Sequence, residues 1–219
     1  MQASQNALKG SALLGAALAM SACGSNSSLG DQPTITGQIS GWNRGTGFTL
    51  QAQVGDAMKP AASAGLSGPL ATAPIDAMGN FSITLPGSAA LAPYLAPQHT
   101  DPSQPLPGCT ADNLQVNPQD IMTRALWLYA VSGTTQLFLK QSAQTTIVAY
   151  IYVDRDFNET GNAACPITVN GMVQGQVQEN FNLHFGTGWN SEAVDLSSLT
   201  GPYTYTSNMI PADAKWTAQ

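Results

Sequence analysis

Apolar and polar side chains alternate along much of this chain, and the alternation predicts strands. Phe48, Leu50, Ala52 and Val54 interleave with Thr49, Gln51 and Gln53, while Phe81, Ile83 and Leu85 interleave with Ser82 and Thr84. A period of two places each apolar set on one face of an extended segment, so both read as half-buried strands. Phe181, Leu183 and Phe185 repeat the pattern and send Asn182 and His184 to the opposite face. The run Ile147-Val148-Ala149-Tyr150-Ile151-Tyr152-Val153 is apolar on both faces and rich in β-branched and aromatic residues, which predicts a central strand covered on both sides. Further strands are expected near residues 34–40, 122–131, 135–141, 167–177 and 189–194. Nowhere does a 3.6-residue apolar stripe persist, and helix is limited to a turn or two within 88–95, where Pro93 interrupts it. Short strands punctuated by glycine point to an all-β sandwich or barrel.

Two stretches break this rhythm. Residues 56–74 are rich in Ala, Gly, Pro and Ser, and residues 86–108 hold six prolines and end just before Cys109. The second loop is long for the inside of a compact domain, so it reads either as a seam between two β-halves near 87–119 or as a surface feature pinned by a disulfide. Pro102-Ser103-Gln104-Pro105 within it fits a polyproline-II spacer.

The amino-terminal pattern is different in kind. Residues 11–20 are apolar and uncharged, follow a segment whose only charged side chain is Lys9, and lead into Ser21-Ala22-Cys23. That is the layout of a secretory signal with a small-residue cleavage site. About ten residues are too few to span a bilayer. With cysteine directly after Ser21-Ala22, the segment resembles the lipobox of bacterial lipoproteins, with Met20 where leucine is usual. The resemblance implies that residues 1–22 are removed and that Cys23 is lipidated as the first residue of the mature chain. It also implies a diacylglyceryl group plus an N-acyl chain, which anchor stably where a single fatty chain binds only marginally. Residues 23–33 then read as a flexible tether, its polar part, 24–33, spanning roughly 17 Å. Gly24 in place of an aspartate favours the outer membrane, in a cell that has one.

Composition narrows the partners. The chain has 219 residues, seven Lys or Arg against thirteen Asp or Glu, and a net charge of −6. An acidic, sparsely charged surface made polar by Thr, Ser, Gln and Asn suits an exported β-protein and argues against nucleic acid. If lipid consumes Cys23, Cys109 and Cys165 remain as an even pair in an oxidising compartment, and they are expected to be joined. Closing that loop stabilises the fold by roughly 4 kcal/mol in the chain-entropy model.

Gly37-Gln38-Ile39-Ser40-Gly41, the strand from Phe48, and the segment Asp76-Ala77-Met78-Gly79-Asn80-Phe81 running on to Ile83, Leu85 and Pro86 together resemble the carboxypeptidase-regulatory or transthyretin-like modules of secreted proteins. The likeness spans residues 35–86, although an Ala/Gly/Pro loop replaces the usual proline-glycine turn and its following strand. Asp76 and Gly79 suit a tight turn in their own right. The likeness implies an antiparallel β-sandwich of immunoglobulin-like or transthyretin-like kind, and a scaffolding or binding role, since such modules are not catalytic. Residues 34–210 are read as that sandwich and 211–219 as a carboxy-terminal tail. Gly41-Trp42-Asn43 and Gly188-Trp189-Asn190 read as two similar strand corners.

Candidate chemistry is sparse. Asp154, Asp156 and Asn158 follow the central strand at the first, third and fifth positions of a calcium loop, but the sixth and twelfth positions hold Glu159 and Cys165, so this is not an EF-hand. A less regular Ca²⁺ site using Glu159 and carbonyl oxygens is one reading, and a solvated turn in which Arg155 offsets the carboxylates is the other. His99 and His184 form no metal-binding spacing, and Gly65-Leu66-Ser67-Gly68 is only half of a nucleophile elbow. Trp127 with Tyr129, and Tyr150 with Tyr152, each share a strand face, either as a row that stacks on sugars or as buried core; large aromatics favour burial. The reading is therefore a non-catalytic, lipid-anchored envelope protein without a cofactor, bound to its membrane through Cys23 and directed toward an envelope protein or cell-wall glycan. An extracytoplasmic hydrolase and a carbohydrate-binding module are the alternatives.

Overall fold

The computed structural model describes residues 28–56, 64–98, 108–111, 113–169, 172–197 and 201–219. In chain order the strands are β1 (Thr34–Gln38), β2 (Thr49–Gly55), β3 (Ala71–Pro74), β4 (Asn80–Thr84), β5 (Ala96–Pro97), β6 (Thr110–Ala111), β7 (Gln115–Asn117), β8 (Met122–Ser132), β9 (Thr135–Ala143), β10 (Thr146–Val153), β11 (Phe157–Val169), β12 (Met172–Phe185), β13 (Gly188–Asp195), β14 (Tyr203–Ser207) and β15 (Lys215–Ala218). One helical turn, α1 (Ser88–Leu91), runs into a 3-10 turn at Ala92–Tyr94. The all-β, sandwich-like architecture expected from the alternation is present, and among the described residues helix is confined to the region around Pro93.

Strands β1 and β4 form an antiparallel ribbon, with Thr34 opposite Thr84 and Gln38 opposite Asn80. The turn leading into β4 is closed by Asp76, whose Oδ1 accepts from the backbone N–H groups of Met78 and Asn80, each at 2.8 Å. Gly79 completes it at φ +83°, and a Cβ there would stand 2.6 Å from that of Trp42. Glycine meets both demands, the positive φ and the close approach. The ribbon lays Ile35, Phe81, Ile83 and Leu85 on the main sheet, whose path is β3-β2-β8-β9-β10-β13-β14-β12-β11-β6.

The sheet bends where three strands pair mutually. The first part of β8 pairs with the end of β10, its second part with β9, and the end of β9 with the start of β10. Here β10 is covered on both faces, as its two-sided apolar pattern requires. Tyr150 and Tyr152 enter the core beneath the ribbon, while Ile151 and Val153 enter a second core with Phe157, Val177, Phe181, Leu183 and Phe185. The two cores thus lie on opposite faces of shared strands.

Several expected elements differ. Residues 167–177 do not form one strand but straddle a hairpin, because β11 and β12 pair antiparallel up to Val169 opposite Met172, with Asn170 and Gly171 between them in sequence. The turn after β10 is short, and strand resumes at Phe157. The sheet is not wholly antiparallel, since β12 and β13 leave Gly186 and Thr187 as diverging arms and β14 enters between them, antiparallel to β13 and parallel to β12. Residues 211–219 are no free tail, because β15 pairs with β9 and buries Trp216. The stretch read as tether joins the fold early: the Leu29 N–H donates to the Trp189 carbonyl at 2.6 Å and the Trp189 N–H to the Gly30 carbonyl at 3.0 Å.

Cys109 and Cys165 are bonded, with Cα atoms 4.2 Å apart, fastening the segment before β6 to the middle of β11. Intact mass is expected to rise by two hydrogens on reduction of the protein. An unchanged mass would mean two free thiols.

Candidate functional site

The least ordinary chemistry lies inside the second core. Glu159 on β11 falls in phase with Phe157, and Glu179 on β12 in phase with Val177 and Phe181, so both carboxyls occupy inward positions of otherwise apolar faces. Glu192 on β13 stands opposite Ala149, which packs against the same core. Strand β14 lies between the latter two, Tyr203 pairing with Glu179 and Ser207 with Glu192. Its Tyr205 stacks on Phe181 at 4.7 Å and hydrogen-bonds Glu179.

Burial governs the electrostatics here. Glu159 is only 1% exposed, and its carboxylate Oε2 accepts from the Gln98 side-chain amide at 3.1 Å. Desolvation, reinforced by the charges of Glu192 and then Glu179, pushes its pKa up to about 8, against a smaller lowering by Gln98. Glu192, part-open at the surface but packed deeply around its carboxyl, is raised to about 7 by burial and by Glu179. Glu179 is raised by burial, with Tyr205 lowering it in part, and Tyr205 itself is raised by burial and the carboxylates around it. Glu159 and Glu192 are therefore shifted toward retaining protons near neutral pH that ordinary glutamates release. Among the described residues, no set of three or more His, Cys, Asp or Glu is placed to hold a metal ion.

The calcium-spaced residues are dispersed. Asp154 Oδ1 accepts from the Met122 N–H at 2.9 Å, and its Oδ2 pairs with Arg155 at 2.8 Å. Asp156 accepts from both the N–H and the hydroxyl of Thr187 at 2.9 Å, contacts that hold its pKa below the usual value. Asn158 Oδ1 lies 2.7 Å from His184 Nδ1, and Glu159 turns to the interior. Alternation along β11 puts Asn158 and Glu159 on opposite faces, which a contiguous loop reading does not foresee. The acidic turn is held by Arg155 and by backbone donors.

The four aromatics divide between two faces of the sheet. Tyr150 and Tyr152 lie in the first core, where Tyr150 donates to Gln141 Oε1 at 2.8 Å and has its pKa pushed up to about 12 by burial, and Tyr152 meets Trp189 edge-on. Trp127 and Tyr129 lie on the other face around Phe138, with Tyr129 buried and Trp127 half-buried. They do not form one exposed row. Cys23 and His99 lie outside the described residues.

The carboxyl trio was overlooked in sequence because glutamate marks no strand. For two of the three the signal is phase: Glu159 follows Phe157 and Glu179 lies between Val177 and Phe181, where alternation calls for an apolar side chain, whereas Glu192 shares its phase with Asn190 and Val194 and carries no such signal. Asn190 was also missed. Fully buried, it bonds Gly186 through both its Oδ1 and its Nδ2, and bonds the Gly188 carbonyl, bracing the turn from which β12 and β13 diverge. No protein-family model, no curated protein and no solved structure matches the chain.

Proposed function

We propose that the chain is a bacterial lipoprotein, held on the extracytoplasmic side of a membrane by acyl chains on Cys23, whose β-sandwich serves as a non-catalytic binding or assembly module toward an envelope protein or cell-wall glycan. The observation that carries this reading is Cys23 directly after Ser21-Ala22 at the end of an uncharged apolar stretch. Two features support it. The Cys109–Cys165 bond suits an oxidising compartment, and no helix among the described residues is long and apolar enough to cross a membrane. The likeness of residues 35–86 to non-catalytic secreted modules belongs to the same reading, as does the outer-membrane placement suggested by Gly24.

Carboxylate catalysis on an external substrate needs groups that reach solvent, whereas the Glu159 side chain is enclosed. Sugar stacking needs exposed rings, and Tyr129, Tyr150 and Tyr152 are buried. Both facts favour the non-catalytic module over its two alternatives.

Cells making the full chain in the presence of an alkyne fatty acid are expected to yield a membrane-bound, labelled protein whose amino-terminal fragment begins at Cys23 and carries a diacylglyceryl group and an N-acyl chain. Cys23→Ser is expected to abolish labelling. A soluble product with an unmodified terminus elsewhere would overturn the reading.

A further inference from the structure

We propose that the folded module rests on the lipid surface through an apolar patch formed by Leu29, Met209 and Ile210, the occupant of that patch being the headgroup–acyl boundary of the bilayer. This rests on the lipoprotein reading above and says which side of the molecule faces the membrane.

Six large hydrophobic residues are exposed among the described residues, and three of them, Leu29 at 42%, Met209 at 54% and Ile210 at 42%, lie on or next to backbone that docks on the same strand, β13. Leu29 donates its N–H to the carbonyl of Trp189, and Asn208, just before Met209, donates to the carbonyl of Ser191 at 2.7 Å. These acceptors are two residues apart on one edge of β13, about 7 Å along the strand. Asn208 is fixed further by its Nδ2–H bond to the His184 carbonyl at 3.1 Å and takes a φ of 54°, a left-handed turn that asparagine tolerates. The apolar residues are thus carried on backbone tied to a buried strand.

The length of chain outside this patch names the occupant. Cys23 precedes Leu29 by six residues, and a chain that long reaches at most about 20 Å when fully extended. An acylated Cys23 therefore keeps Leu29 within that distance of the bilayer, and the neighbouring Met209 and Ile210 with it. Residues 28–33 and 207–214 include no Lys or Arg, and their only charged side chains are Asp31 and Asp213. Attraction to anionic headgroups is thus not the force. Contact is apolar and secondary to the acyl chains, as expected when a lipid supplies the main anchor.

Met78 supplies the internal control. It is 65% exposed in the turn closing the far end of the β1–β4 ribbon, beyond the Gln38–Asn80 pair, whereas the amino terminus enters at the Thr34–Thr84 end. Those ends are four residue pairs, or about 13 Å, apart along the ribbon.

Lipidated full-length protein carrying Leu29→Cys, Met209→Cys or Met78→Cys, labelled with an environment-sensitive fluorophore, is reconstituted into phosphatidylcholine vesicles containing a lipid-borne quencher. Labels at 29 and 209 are expected to be quenched several-fold more strongly than the label at 78, with little change on adding salt. Intact mass of the same preparation reports acylation separately. Acylated protein with equal quenching at all three sites would overturn the docking face and leave the lipoprotein reading standing, whereas absence of acyl chains would bring down both.

Discussion

Thermal unfolding followed across the pH range is expected to show the protein losing stability as pH rises from about 4.5 toward about 8, the reverse of the usual gain on leaving acid. The window is set by Glu159, whose folded pKa is raised from 4.5 to about 8, and by Glu192, raised to about 7. An acid whose folded pKa lies above its unfolded value binds more protons in the native state between the two values, so unfolding releases protons and stability falls as pH increases. The stabilisation is complete below the unfolded pKa and gone above the folded one. Linkage of this size is worth on the order of several kcal/mol, a drop in Tm of roughly 10 °C for a chain of this length. At the acid end, Asp76 and Asp156 have folded pKa values held below normal by backbone and side-chain donors, so their contribution disappears as pH falls through that range. Stability should therefore peak in mild acid. Glu159→Gln keeps the shape and an acceptor for Gln98 while removing the ionisation, and is expected to raise Tm at pH 8 and flatten the descent. A wild-type profile that is flat or rising between pH 5 and pH 8 would mean that the trio is better solvated than its burial implies.

How far the fold was legible follows from where the alternation is informative. Strands β2, β4 and β10 were readable because their apolar positions keep strict phase or fill both faces, and burial of Leu50, Ala52, Val54, Phe81, Ile83 and Leu85 follows that phase. The Asp76–Gly79 turn was readable because its chemistry is local. The β11–β12 hairpin was misplaced because polar residues interrupt the pattern on both sides of Asn170-Gly171, although that dipeptide is itself a hairpin signal. Insertion of β14 between β12 and β13 was beyond reach, because it depends on two arms diverging elsewhere in the chain. The glutamate trio fell between these cases: Glu159 and Glu179 are out of character for their phase, Glu192 is not, and only the fold brings the three strands together. Tertiary pairing also decided the fate of the last residues, which are too short and too polar to announce a strand alone.

Removing residues 215–219 is expected to destabilise the protein by about 5 kcal/mol or more, a large share of the roughly 5–15 kcal/mol by which folded domains are stable. The loss has two sources. Trp216 is 6% exposed, stacks on Tyr150 at 6.2 Å, meets Phe81 edge-on at 5.5 Å, and lies so close to Gly37 that a Cβ there would stand 2.5 Å from its Cδ1. Emptying such a site costs about 3–5 kcal/mol on its own, since the ribbon and sheet facing it cannot both collapse inward. The strand also carries backbone pairing: β15 runs beside β9 from Ser142 to Leu139, Gln219 exchanges two bonds with Phe138, and the Ser40 N–H donates to the Trp216 carbonyl at 2.8 Å. Without it, the β9 edge and the segment just after β1 lose partners together. Trp216→Ala should show the cavity cost alone, and Trp216→Phe, which still fills part of the space, should cost less than half as much. Circular dichroism in urea separates the three, because it does not rely on the fluorescence of the residue being changed. A truncated protein whose midpoint lies close to that of the full chain would mean that the ribbon and sheet close over the space unaided, and that β15 follows the fold rather than holding it.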